Sequence, residues 1–514
     1  MSMIYLLHIK GYDPISLTEK TLYFSSSMYI TGSSNLPPSG VAHTWYSPRI
    51  GETVRIERNA WSQGSIGGKS EIGFGVAELV NMDGALDYLK TWGFDGRTIT
   101  AIVGEVNPGG VPVWTTAFTA TMAAPVVELD RVLFYLRDRQ LELDKPLCGT
   151  NYGGTNVLPN GRDGTADDIG GQNIPVLMGY STNISPVCVN TSRLIYQVNS
   201  GSIVTVDAAY DQVKALTKDA DYADESDMQT NAPLAANYRV WPAGGCYRLG
   251  SALVGKHTCN ATEGATAADR TAGQLFKRIA LVAGLTTGDI SAADITAIDA
   301  LQPAEVEIYR QDGTSCGDAM AEICNSIGAW SGFDRFGILR IKRLDAPVGS
   351  PVVTFTDANI SEIETVRNGD NDIPVWKYFL QYQRNYTVQD SDIESSVTLA
   401  RRGFISQSYR KKIAFDSAVK TKNKLAREVT ETTSLTNATA AQTECTRRFN
   451  IFKVAREMFR VTAFVDNATL ALVDIGTEIR IEFDRLGLDA GKNFIVLGVN
   501  TDVIAGEIQM IVWG

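Results

Sequence analysis

The chain has 514 residues, 44% of them hydrophobic and 20% charged, the balance of a folded, core-forming protein, which excludes disorder as its main state. At 55.8 kDa it is long enough for three or four domains of ordinary size. Its 58 acidic and 47 basic residues leave a net charge of −11, which argues against a dedicated nucleic-acid coat.

No apolar run approaches the roughly 18–20 residues of a membrane span. The first ten residues, MSMIYLLHIK, lack a basic start and a small-residue cleavage site, so no secretory signal is expected. Residues 1–145 read as β-rich. TLYFSSSMYIT, ETVRIERNAW, RTITAIVGEV and VVELDRVLFYLRDRQLEL are β-branched and aromatic runs punctuated by Gly, Pro, Asn and Asp. One short helix is expected near Gly84–Leu89. Residues 146–185 are rich in Gly and Asn and read as a long loop, a type that is usually functional or mobile and here suited to ordering on assembly.

Strands resume over 186–262, interrupted by the acidic residues Asp219, Asp221, Asp224, Glu225 and Asp227. TAGQLFKRIALVAG then sets Leu275, Ile279 and Val282 on one helical face, with Gly284 as the stop. SAADITAIDAL predicts a second helix ending before Pro303. A strand, a turn, a third helix with Met320, Ile323, Cys324 and Ile327 on one face, and a hairpin follow. After about 350 the pattern is β again: WKYFLQYQ alternates Trp376, Tyr378, Leu380 and Tyr382 on one side, and a helix is expected around Ala440–Phe452. The fold class is α+β, mainly β. Its expected segments are 1–145, a loop plus β domain at 146–262, a helix-containing α/β domain at 263–350, and a β domain with a helical insertion at 351–514.

Candidate chemistry is sparse. Histidine, the usual general base near neutral pH, occurs only as His8, His43 and His257. Gly313-Thr314-Ser315-Cys316-Gly317 matches GxSxG between a predicted strand and helix, the setting of a nucleophile elbow. That fold places its histidine after the serine, and no histidine follows His257. Ser315 is instead a good N-cap with Asp318 three residues on, and Asp312-Gly313 is a turn signal. Gly64–Ser70, GSIGGKS, resembles a phosphate loop, but Gln63 stands where the first glycine belongs and a strand follows. Asn160, Asp163, Asp167 and Asp168 offer oxygen ligands, yet an EF-hand register anchored on Gly164 would put Pro159 and Gly170 at ligand positions. The acidic stretch 219–227 reads as a solvated loop. Arg401, Arg402, Arg410, Lys411, Lys412, Lys420, Lys422, Lys424 and Arg427, with Phe404 and Tyr409 between them, suit a nucleic-acid groove, a solvated face or a contact between subunits. No catalytic, cofactor-binding or metal-ligating residue is assigned, and no cofactor is expected.

The seven cysteines, Cys148, Cys188, Cys246, Cys259, Cys316, Cys324 and Cys445, include no CxxC and read as buried free thiols of a reducing compartment. Cys246 and Cys259 are the one plausible pair, across a hairpin.

Four stretches, taken in order, resemble the baseplate hub or central tail-tip protein of long-tailed bacteriophages, above all of Mu-like siphophages and gene transfer agents. They are residues 64–97, then 174–201 leading to YRLGSALVG, then IGAWSGFDRFGILRIKRLDAP at 327–347, and finally IPVWKYFLQYQRNYTVQ with the closing FIVLGVNTDVIAGEIQMIVWG. The resemblance implies β-barrel-like domains at both chain ends around a mixed α/β middle. It also implies a homotrimer whose six such domains adapt a sixfold tail tube to a threefold tip. Implied partners are distal tail or tail tube proteins, fibre and tip proteins and a tape measure protein. Genomic DNA would pass transiently without stable recognition, and the host envelope would be met indirectly. The location would be the virion tail tip or baseplate, after assembly in the host cytoplasm. A sixfold distal tail ring protein and a tail-associated cell-wall hydrolase are the alternatives. Cys246 and Cys259 depart from the family's ordinary strand residues. The iron–sulfur cluster of some tail-tip proteins is not carried over, because no four-cysteine cluster exists here.

Overall fold

The last strand, Glu507–Trp513, buries Ile508, Met510 and Val512 and leaves the residues between them half-buried, the period-two pattern of a strand with one face on a core. Such strands dominate the computed structural model, in which 40% of the chain is strand and 19% helix. The structure describes residues 3–51, 56–60, 68–69, 71–137, 139–367, 373–502 and 506–514.

The chain divides into two units, each built from separated segments. One joins Met1–Leu141, Trp330–Asp372 and Ala455–Gly514; the other joins Glu142–Ala329 and Ile373–Val454. Each unit therefore draws on stretches that lie far apart in the chain. The physical reason is strand pairing between residues far apart in the chain. Ile56–Asn59 pairs with the C-terminal strand Leu488–Asp502, Arg58 opposite Val499, and so belongs to the C-terminal sheet.

The first unit holds two half-barrel sheets. In the nine-stranded sheet, Met3–Asp13 lies between Thr98–Val106 and Thr18–Ser25. In the eight-stranded sheet, Glu507–Trp513 lies between Met458–Phe464 and Leu488–Asp502. One apolar core serves both: Tyr5, Leu7, Ile9, Phe94 and Phe134 belong to the same cluster as Phe459, Phe494 and Met510. The helix expected near Gly84–Leu89 is a 3-10 turn at Asp87–Thr91 that buries Leu89.

The second unit carries the longer helices, where expected. Ala272–Val282 is capped by Thr271 and stopped at Gly284, whose φ is 98°. Ala292–Leu301, Cys316–Ile327 and Ala438–Phe452 are capped by Ser291, Ser315 and Asn437. A four-stranded and a five-stranded sheet share a core of Val206, Tyr238, Tyr247 and Cys259. A further three-stranded sheet sets Val375–Tyr382 between Arg410–Phe415 and Arg427–Thr432.

Cys246 and Cys259 do not pair; all seven cysteines are free thiols. The expected hairpin does not form, because Cys246–Leu249 pairs with Asn237–Trp241 while His257–Thr262 pairs with Thr205–Asp211. Strand alternation also puts Cys246 on the face opposite Tyr247, whose ring shares the Cys259 core.

Candidate interaction surfaces

The groups considered for chemistry are held in structural work. The Ser315 hydroxyl accepts from the Asp318 N–H at 3.1 Å and donates to the Asp318 carboxylate at 2.8 Å, fixing the start of its helix. His8 Nε2 bonds the Tyr46 hydroxyl at 2.7 Å, and His257 bonds the Tyr247 hydroxyl and, through Nδ1, the Tyr210 carbonyl at 2.8 Å. Burial pulls both imidazoles down to about 4, so they are neutral in the physiological range. His43 sits in a loop with φ of 54°. Of the glycine-rich stretch Gly64–Ser70, only Gly68 and Lys69 lie among the described residues, and their backbone pairs with Trp330 and Ser331.

The long loop closes on itself. The Asp163 carboxylate accepts from the Gly153 N–H at 2.9 Å and the Thr155 hydroxyl at 2.6 Å, and that hydroxyl bond leads in holding its carboxyl below the usual range. Asp168 accepts from the Thr165 and Ile169 N–H groups, and Asn160 from Arg193. No group of three or more metal-ligating side chains occurs among the described residues. The acidic stretch is likewise committed: Asp224 caps a short helix, Asp219 accepts from Asn237, and Asp221 and Glu225 pair with Lys218 and Arg162.

Glu307 is a group the sequence reading missed. Its carboxylate is fully buried and accepts from the Ser181 hydroxyl at 2.6 Å and the Tyr386 hydroxyl at 2.8 Å. Burial pushes its carboxyl up to about 7, with the two hydroxyl bonds opposing. Its flanking residues Val306 and Ile308, both buried, were the only sequence signal.

What remains open to solvent is surface. In the three-stranded sheet, register places Lys377 opposite Phe415, Phe379 opposite Ile413 and Gln381 opposite Lys411. These residues share one face. The other face, with Tyr378, Leu380 and Tyr382, lies against the helix Ala438–Phe452, whose Cys445 thiol reaches the Tyr378 carbonyl at 3.6 Å. On the open face Phe415 is 66% and Ile413 45% exposed, while Lys377 lies over the Phe379 ring at 4.8 Å. The basic run divides by position. Arg401 and Arg410 stack on Phe404 at 5.1 and 3.8 Å, and Arg402 donates to the Glu394 and Val397 carbonyls. Lys411 is exposed on the open face, Lys420 lies over the Trp376 ring at 4.4 Å, and Lys422 and Lys424 are exposed.

The first unit has a second such surface. Tyr29–Ile30 is the edge strand of the nine-stranded sheet and pairs with Trp45–Pro48. Tyr29 and Tyr46 turn inward onto Tyr23 and Trp114, while Ile30 and Trp45, directly opposite each other, remain 60% and 55% exposed. Met28 beside them is exposed as well. Contiguous apolar groups at a sheet edge are the usual material of a protein contact.

No family model and no curated protein matches the sequence. Among solved structures, the chain is similar to the tail protein from Neisseria meningitidis MC58 at 10% identity and a TM-score of 0.39, over 100% of this chain and 97% of that one. It is similar to the 43 kDa tail protein of prophage MuSo2 from Shewanella oneidensis at 12% identity and 0.38, over 92% and 96%. A chain of the native gene transfer agent virion gives 13% identity and 0.43, over 72% and 91%. Identities this low and TM-scores below 0.5 leave the functional argument to the chain's own residues.

Proposed function

We propose that this chain is a structural protein of a long-tailed phage or gene-transfer particle, the hub of its tail tip or baseplate, acting as a homotrimer. The observation that carries the reading is the pair of open apolar surfaces, Met28, Ile30 and Trp45 in one unit and Ile413 and Phe415, beside half-buried Phe379, in the other. Both lie on regular, well-packed sheets, and closed symmetry would repeat each three times. The order of the four sequence stretches supports the same role. In it, the chain joins the tail tube or distal tail ring to the tip and fibres, contacts the tape measure protein, and surrounds the path of the ejected DNA. The net charge of −11 suits such a path, because phosphate affinity comes from Lys and Arg.

The test is immunogold labelling of intact particles with antibody against this chain. Label confined to the tail end distal to the head is the expected result. Label along the whole tail, or on no particle, would remove the assignment. Zymography on host cell wall separates the enzyme alternative: clearing that Ser315→Ala abolishes would replace the structural reading.

A further inference from the structure

The first unit contains a cationic pocket of about 220 Å³ that the structural role does not use. It opens at the tip of the hairpin made by Ala329–Phe333 and Leu339–Arg343, where the Gly337 N–H closes the turn onto the Asp334 carbonyl. Arg335 and Phe336 stand in that turn. Arg340 and Lys342, two residues apart on the second strand, point to one face. Arg58 and the segment Ala471–Thr477 complete the wall.

The charges do not balance. Asp474 accepts from Arg58 at 2.7 Å and from the Ile475 N–H at 2.7 Å. Asp334 accepts from the Phe336 and Ile338 N–H groups and from Arg340 at 3.1 Å. Both carboxylates are thus hydrogen-bonded to other groups, and although Asp474 and Asp334 also lie in the field of Arg335, two carboxylates face four cations. Neither Arg335 nor Lys342 makes an ion pair among the described residues. Arg335 donates to the Leu470 and Ala471 carbonyls, but its Nε is buried with no partner. Lys342 has no ion pair or hydrogen bond among the described residues. An unanswered buried donor and an unpaired cation at one cavity both lose free energy until an anion arrives. The cavity is large enough, since one water needs only roughly 10–15 Å³. Trp330 and Phe333 give it apolar walls, beside which a charge is screened less than in bulk water.

We propose that this pocket binds an oxyanion, a phosphate or carboxylate group, with Lys342 Nζ as a donor and the Arg335 guanidinium supplying charge beside it. Such a group has two sources: a free small anion, or the acidic side chain of a neighbouring protein. The site stands whether or not the chain forms a trimer.

The experiment is calorimetric titration of the full chain with inorganic phosphate and, separately, with succinate, each against sodium chloride at equal ionic strength. Saturable one-site binding of either anion is expected, weakened at least tenfold in both Lys342→Met and Arg335→Gln. Phosphate alone would indicate a free anion; succinate alone or both would indicate a site that accepts a partner's carboxylate. Lys342 is half-buried at the rim, so Lys342→Met tests the site even if Arg335→Gln disturbs the turn. Heat matched by sodium chloride, or binding unchanged in Lys342→Met, would overturn the proposal.

Discussion

The two units hold themselves together by different means. The first relies on one apolar core running through two sheets, with Phe94, Phe134, Phe459 and Phe494 all buried in it. The second buries ionised and polar groups beside its apolar clusters. Glu444 and Arg448 are both nearly inaccessible and pair at 2.6 Å, Arg448 also meets Glu431, and the Arg447 guanidinium bonds Glu444 and the Ile327 carbonyl. Those arginines keep the Glu444 carboxyl below its usual range although burial alone would raise it. Apolar cores tolerate pH change and resist cavities; buried charge sets give a unique arrangement but fail badly when one member is lost.

The largest effects should come from breaking each unit in its own way. Arg448→Met leaves buried Glu444 with Arg447 as its remaining cation and half-buried Glu431 without one, and should cost about 3 kcal/mol. Amide exchange in Ala438–Phe452 would report it, and a loss confined to the first unit would break the comparison. Phe494→Ala opens a cavity where two aromatic rings meet edge to face and should cost about 3–5 kcal/mol in the first unit. The distinction is recovery. Converting Glu431, Glu444 and Arg448 together to apolar residues should restore most of the stability that Arg448→Met alone removes.

Acidity sharpens the contrast further. His8 in the first unit and His257 in the second stay neutral to about pH 4, against 6.5 for a free imidazole. The unfolded chain binds more protons between those values, so each contributes stability that is present above pH 6.5 and lost as pH falls to 4. Glu307 runs the other way. It keeps its proton to about pH 7 in the fold and only to 4.5 when unfolded, so its contribution is complete below 4.5 and lost as pH rises to 7. Each shift is worth on the order of 3 kcal/mol. Between pH 4.5 and 6.5 the first unit should therefore gain stability with pH while the second does not, because Glu307, with the buried Asp207 raised in the same direction, offsets His257. Glu307→Gln removes its share of that offset, so the second unit should then rise with pH, and at pH 8 it should be more stable than the native chain by up to about 3 kcal/mol. Exchange rates for each unit across this range measure it. A second unit that already rises in the native chain would contradict the assignment of Glu307.

How far the sequence could be read follows the same division. Helices were legible because their caps and stops are local: Thr271, Ser291, Ser315 and Asn437 each bond an N–H within three residues. Strands were legible as strands, since alternation such as Ile508, Met510 and Val512 is also local. Their partners were not. Nothing near Arg58 marks Val499 as its neighbour, so the division into two units built from separated stretches was hidden. The seven free thiols were read as such, but that Cys246 and Cys259 could not pair was hidden, because spacing suggests a hairpin and only the register shows which face each residue takes. Glu307, Arg335 and Lys342 look like surface charges in sequence; burial and cavity come from elements elsewhere in the chain.

The smallest effect on folding should come from the open surfaces. Phe415→Ser and Trp45→Ser remove no core contact and should change unfolding stability by no more than about 0.5 kcal/mol. If those surfaces are subunit contacts, the same substitutions should lower the native mass. That makes the native mass of the purified chain, by light scattering across a concentration series, the most direct test of the hub assignment. Closed threefold symmetry expects about 167 kDa, three times the 55.8 kDa chain, with a shift toward monomer in Phe415→Ser or Trp45→Ser. A mass of 55.8 kDa at every concentration, or a hexamer, would contradict it.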